Sequence, residues 1–163
     1  MKTALCPGTY DPVTVGHIDI ISRCAGMFDE VIVGVVAVPF RKTAQFTTKE
    51  RARFLEESTK DLTNVRVAVM HNLVVEVARQ VGATVLVKGL RALTDFEYEL
   101  QMAQLNRKLD PELETMYLMA SPEYSFLSSS GVKEIARYGG DVSDLVPELV
   151  AERLAEIYEP VED

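Results

Sequence analysis

The chain has no tryptophan, two cysteines and two histidines among its 163 residues. Cys6 and Cys24 each sit in an apolar stretch and form no metal-ligand pattern, so they read as small core residues of a reducing compartment. Long hydrophobic runs are missing too. The longest, residues 31–38 with Gly34 inside it, falls well short of the roughly 20 residues a membrane-spanning helix needs. Residues 1–7 show neither the apolar region nor the cleavage site of a secretory leader, which predicts a cytoplasmic protein with no membrane partner. A basic surplus is also absent. With 17 Lys+Arg against 25 Asp+Glu the net charge is −8, which argues against a nucleic-acid partner. Finally, no G-x-G-x-x-G follows the first apolar segment and no G-x-x-x-x-G-K-(S/T) occurs anywhere, so dinucleotide and P-loop readings lose their support.

What is present is a regular alternation of strand-like and helix-like segments. Hydrophobic residues make up 47% of the chain, enough for one domain over residues 1–163 with a core of its own. Buried strands are predicted at residues 2–6, 30–36, 65–69, 84–87 and 115–119, which are rich in β-branched and small apolar side chains. Ile18, Ile20, Ile21, Cys24 and Ala25 supply the apolar side of a first helix. Thr47 with Glu50, and Thr94 with Glu97, have the spacing of capping boxes that open further helices, the second of these running to Leu109. Residues 72–81 predict a helix ended by Gly82, another runs from about Ser129 to Gly139, and Pro147 opens the last. Alternation of this kind predicts an α/β fold: one Rossmann-like, doubly wound domain with a mostly parallel sheet of about five strands. Ligands of such folds bind beyond the carboxyl ends of the strands, where strand order reverses.

The residues that carry chemistry fall at those ends. Pro7-Gly8-Thr9-Tyr10-Asp11-Pro12-Val13-Thr14-Val15-Gly16-His17 joins the first strand to the first helix. Gly8 and Gly16 permit close approach, Thr9 offers a hydroxyl, and His17 falls in the first helical turn, where N–H groups and a ring donor suit an anion. Lys88 and Arg91 are expected just past a strand end, where cations can neutralise phosphates and a guanidinium can grip two oxygens. Ser128, Ser129 and Ser130 precede a helix, beside Tyr124 and Phe126, and can converge on an anion; a plain helix cap is the bland alternative. His71 has no motif around it and reads as a surface residue.

Thr14-Val15-Gly16-His17 resembles the (His/Thr)-x-Gly-His signature of the nucleotidyltransferase superfamily. The wider loop resembles one family in it, the bacterial phosphopantetheine adenylyltransferases. So do Lys88-Gly89-Leu90-Arg91, Asp95-Phe96-Glu97-Tyr98-Glu99 and Tyr124-Ser125-Phe126-Leu127-Ser128-Ser129-Ser130. The resemblance implies transfer of the adenylyl group of ATP to 4′-phosphopantetheine, giving dephospho-coenzyme A and pyrophosphate in coenzyme A biosynthesis. It implies His17, Lys42 and Arg91 as catalytic residues. ATP would be held by Thr9, Tyr10, His17, Gly89, Leu90, Arg91, Glu99, Tyr124, Ser125, Phe126, Leu127, Ser128, Ser129 and Ser130; the acceptor by Thr9, Lys42, Val74 and Lys88. Position 88 is Lys where many relatives have Arg. The loop of residues 39–46 is one residue longer than the family's usual form, so Arg41 stands as the alternative to Lys42. Mg²⁺ is expected to arrive with ATP, with no protein metal site of its own. A homohexamer and feedback inhibition by coenzyme A are implied as well. A sister nucleotidyltransferase and a nucleotide sensor without catalysis are the rival readings.

Overall fold

The computed structural model describes residues 1–39 and 43–158, with only the backbone of Leu93 and Thr94. Five strands, β1 (Thr3–Gly8), β2 (Glu30–Val36), β3 (Val65–Met70), β4 (Val85–Leu90) and β5 (Glu114–Met119), form one sheet in the order β3-β2-β1-β4-β5. Every pairing is parallel, with Thr3 opposite Glu30 and Leu90 opposite Met119. A parallel sheet needs a crossover between successive strands, and right-handed crossovers place helices on a face set by the direction of travel. Strand order reverses between β1 and β4, so the carboxyl ends of that pair open a crevice at the sheet's centre.

Both faces of the sheet are covered. Ala4, Cys6, Val31, Val33 and Val87 pack against α1 (Val15–Ala25), α2 (Thr48–Thr59), α5 (Ser129–Arg137) and α6 (Glu148–Ile157). Leu5, Ile32 and Leu86 point the other way and pack with Val75 and Ala78 of α3 (Val74–Val81). Alternation along each strand produces this two-sided burial, and it explains why the strands read as continuous apolar runs. Cys6 and Cys24 are buried free thiols, Sγ to Sγ 3.7 Å, joining β1 to α1. No helix among the described residues is long and apolar enough to cross a membrane.

Several helix ends follow the sequence. Thr47 and Glu50 form the expected reciprocal cap of α2, and Gly82, at φ 71°, ends α3. Others do not. α3 begins at Val74 rather than residue 72. The helix expected to open at Thr94 begins earlier: α4 (Leu93–Leu109) starts one residue before Thr94, with Ala92 at its cap position. Thr94 therefore lies inside the helix rather than at its start. β4 runs three residues further than expected, because its ladder with β5 continues to Leu90.

The chain past β1 and β2 is held by one buried cation. Arg51 of α2, 1% exposed, donates to the carbonyls of Phe46, Thr9, Val36 and Ala37 and to the Thr48 hydroxyl at 2.8–3.2 Å. Irregular backbone at a buried strand end leaves carbonyls without ladder partners, and five guanidinium N–H groups satisfy them together.

Candidate active site

The loop between β1 and α1 folds back under the crevice. Tyr10 takes the left-handed backbone conformation, φ 50°, which is uncommon for a bulky residue. Two contacts hold it there. Its hydroxyl donates to the Cys6 carbonyl at 3.0 Å, and its ring meets the His17 ring edge-on at a centroid distance of 5.1 Å. Burial foremost, then the neighbouring Cys6 and Cys24, raises the Tyr10 phenol well above its ordinary pKa, so the hydroxyl remains a donor. Gly8 is required beneath it: a Cβ there would sit 2.9 Å from the Tyr10 ring.

His17 occupies the third position of α1 and completes a reciprocal cap with Thr14. The Thr14 hydroxyl oxygen accepts the His17 N–H, and the His17 Nδ1 accepts the Thr14 N–H at 3.0 Å. An imidazole nitrogen that accepts a backbone N–H carries no proton itself, so the neutral ring bears its hydrogen on Nε2. Desolvation, with the positive charge of Arg91 second, lowers the His17 pKa from its usual 6.5 to about 4. The ring is thus a neutral Nε2–H donor at the start of a helix, where N–H groups already favour negative charge.

Three segments close around this ring. Arg91, one residue past β4, donates to the Leu127 carbonyl at 2.7 Å and to Asp95 at 3.3 Å. Gly16 faces Tyr124 and Leu127, which would lie 3.5 and 3.6 Å from a Cβ placed there. Ser129 donates to the Pro12 carbonyl at 2.8 Å. His17, Arg91, Tyr124, Leu127 and Ser129 are therefore brought together, with Tyr10 as the floor under His17. Ser128 is the helix cap, its oxygen accepting the Gly131 N–H at 3.0 Å; the bland capping role expected of the serine run belongs to it. Ser129, expected to begin the helix, does so and ties it to the loop. Ser125 and Ser130 are exposed, and Phe126 is 74% exposed at the rim.

Lys88 is not past the strand end. It lies inside β4, on the face of Leu86, and pairs with Glu99 of α4 at 2.7 Å. The extended β4–β5 ladder moves it inward, and only Arg91 follows the strand. Gly89 and Leu90 end β4. Val74, half-buried, packs on the same face as Leu86 at the start of α3. Lys88 and Val74, both expected to hold the acceptor, thus share the α3 face with Glu99, while His17, Arg91, Tyr124, Leu127 and Ser129, expected to hold ATP, gather on the side of α1 and α5. Thr9, just past β1, stands between the two groups, its carbonyl fixed by Arg51. Lys42 and Arg41 lie outside the described residues. His71 is exposed, as expected.

Two contributors escaped the sequence reading. Thr14 was expected only as part of the motif, although its spacing from His17 is that of a capping box with histidine in the acidic position. Arg51 gave no signal, since a helix arginine is ordinarily solvated.

The Cytidylyltransferase-like family model matches residues 5–135, from within β1 to most of α5. A solved Vibrio parahaemolyticus chain, provisionally assigned as a nicotinate-nucleotide adenylyltransferase, superposes with a TM-score of 0.68 at 16% identity, covering 94% of this chain and 99% of that one. Fold, cleft and family model together define a protein of the cytidylyltransferase-like nucleotidyltransferase family. Within it the likeness is much finer. A phosphopantetheine adenylyltransferase of Caldanaerobacter subterraneus subsp. tengcongensis is 53% identical over 156 residues, covering 96% of this chain and 97% of the relative. One of Rubrobacter xylanophilus is 52% identical over 158 residues, covering 97% and 96%. The chain belongs to the phosphopantetheine adenylyltransferase family.

The depressed pKa of His17 has a consequence for stability. Above pH 6.5 the ring is neutral folded and unfolded. As pH falls from about 6.5 towards 4 the unfolded chain takes up a proton that the folded one refuses, so stability is lost over that window. The loss is roughly 1–3 kcal/mol, the lower figure allowing for solvent screening at a half-buried ring. In melts at pH 7 and pH 4.5, His17→Gln is expected to lose less stability than wild type. Parallel losses would contradict the assignment.

Proposed function

We propose that the chain transfers the adenylyl group of ATP to 4′-phosphopantetheine, giving dephospho-coenzyme A and pyrophosphate in coenzyme A biosynthesis. The observation that carries the proposal is the neutral His17 Nε2–H at the head of α1, with Arg91 and the start of α5 beside it. The nucleophile is the acceptor's own phosphate, already ionised near neutral pH, so no side-chain base has to activate it. One of its oxygens bonds to the α-phosphorus of ATP while the bond to the β-phosphate oxygen breaks, and pyrophosphate departs with that electron pair. Catalysis then rests on alignment and on donors aimed at charge that develops in the transition state.

In this reading His17 donates to the α-phosphate. Arg91 and Ser129 hold the β- and γ-phosphates, with Ser128, Ser130 and the other residues of the 124–130 segment around the nucleotide. Thr9, Lys88 and Lys42 orient the acceptor phosphate. The Lys88–Glu99 pair lets one carboxylate aim the ammonium while the acceptor phosphate takes its remaining donors. Mg²⁺ enters as part of the MgATP substrate; among the described residues no group of three or more His, Cys, Asp or Glu could hold a metal ion.

Three wider features belong to the same proposal. The enzyme is cytoplasmic, and coenzyme A, which shares the pantetheine arm of the product, is its feedback inhibitor. It is also a homohexamer. α4 supports that assembly: none of its residues 95–109 is buried, and Phe96, Leu100, Leu105 and Leu109 are exposed. A 17-residue helix with so much apolar surface uncovered suits burial between copies. Light scattering is expected to give about six times the 18.1 kDa chain mass, and Leu105→Glu a smaller particle. A wild-type monomer would contradict it.

Pyrophosphate release in the presence of ATP, Mg²⁺ and 4′-phosphopantetheine tests the reaction itself. His17→Ala is expected to lose roughly 3–4 kcal/mol of transition-state stabilisation, about a hundredfold to a thousandfold in kcat, while still binding ATP. Near-normal turnover by that variant would remove His17 from the reacting centre.

A further inference from the structure

A buried carboxylate beside the cleft has no part in the proposed reaction. Asp11, 6% exposed, lies in the loop that carries His17. Its Oδ1 accepts the Phe46 N–H at 2.9 Å, and its Oδ2 accepts the Gln45 N–H and the Lys133 ammonium, each at 2.8 Å. Three donors from two other segments thus converge on one side chain. Lys133 follows Ser129 by four residues, one turn along the same face of α5. Those two side chains bond successive loop residues, Ser129 to the Pro12 carbonyl and Lys133 to Asp11. On its other side Asp11 grips the chain leading into α2, where the Phe46 carbonyl is taken by Arg51 and the Gln45 side chain by the Tyr158 hydroxyl.

A largely buried ion pair of this kind is poor value as a source of stability, because desolvation offsets most of the attraction and apolar replacements serve as well. Its geometry is more informative. One carboxylate joins the first turns of α5, assigned to ATP, to the segment adjoining position 42, assigned to the acceptor. Resting on that assignment of the two half-sites, we infer that Asp11 and Lys133 are positioning residues that set the spacing between them. Neither touches a substrate. Lys133 acts through Ser129 and the α5 terminus on ATP alone, whereas Asp11 acts on both sides.

The variants Lys133→Met, Lys133→Arg and Asp11→Asn test this, with the dissociation constant for ATP from calorimetry and KM for each substrate from pyrophosphate release. Losing a charge-assisted hydrogen bond that places α5 is expected to weaken ATP binding about tenfold in Lys133→Met. KM for 4′-phosphopantetheine should then stay within about twofold of wild type. Lys133→Arg keeps the bond and is expected to restore ATP binding. Asp11→Asn should raise both KM values. A merely structural strut would lower the melting temperature without this split. If Lys133→Met binds ATP within about twofold of wild type, whatever its melting temperature, the inference is overturned. A wild type that binds ATP but releases no pyrophosphate would instead overturn the proposed reaction, and the calorimetric comparison would still decide the role of Lys133.

Discussion

The cleft depends on the reciprocal hydrogen bonds between Thr14 and His17. They begin α1, they set the direction of the imidazole, and they decide which nitrogen carries the proton. A glutamate at that helix position would cap equally well but would bring a negative charge towards the phosphates. Histidine caps through one nitrogen and keeps a neutral donor on the other. Local helix chemistry and catalytic chemistry are thus met by the same side chain.

Such a cap is useful only if the loop before it stays in place, and that loop has little regular structure of its own. Its fixation is distributed. Tyr10 is pinned to the Cys6 carbonyl, Arg51 holds the Thr9 carbonyl, Asp11 gathers N–H groups from the chain before α2, and Pro12 is tied to α5. Most of these bonds satisfy polar groups of loop backbone that no strand ladder or helix pairs. The crevice is therefore the place where the sheet must be completed by side chains, which is also where a ligand finds preorganised donors. The pair Lys88–Glu99 completes the opposite face.

The order of strands and helices was legible because both period and composition pointed the same way: β2 is apolar from Val31 to Val36, and α2 opens with a full capping box. The motif around His17 was legible because glycine, threonine and histidine at fixed spacing follow the first strand. What the sequence hid were matters of tertiary choice. Thr94 and Glu97 have capping-box spacing, yet the chain enters the helix two residues earlier, with Ala92 at the cap position. Lys88 looks like a loop cation, yet the ladder with β5 draws it into the strand. Arg51 and Lys133 resemble ordinary solvated helix residues until the fold brings orphan carbonyls to one and a buried carboxylate to the other. Long-range partners of this kind leave no local pattern to read.

The chemistry of the cleft turns on the protonation of one ring, and histidine side-chain ¹H–¹⁵N correlation spectra read it directly. His17 is expected to carry its proton on Nε2, with Nδ1 unprotonated, and to keep this pattern as pH falls from 7 to about 5, since burial lowers its pKa to about 4. A proton on Nδ1, or a titration midpoint near the ordinary value of about 6.5, would contradict it.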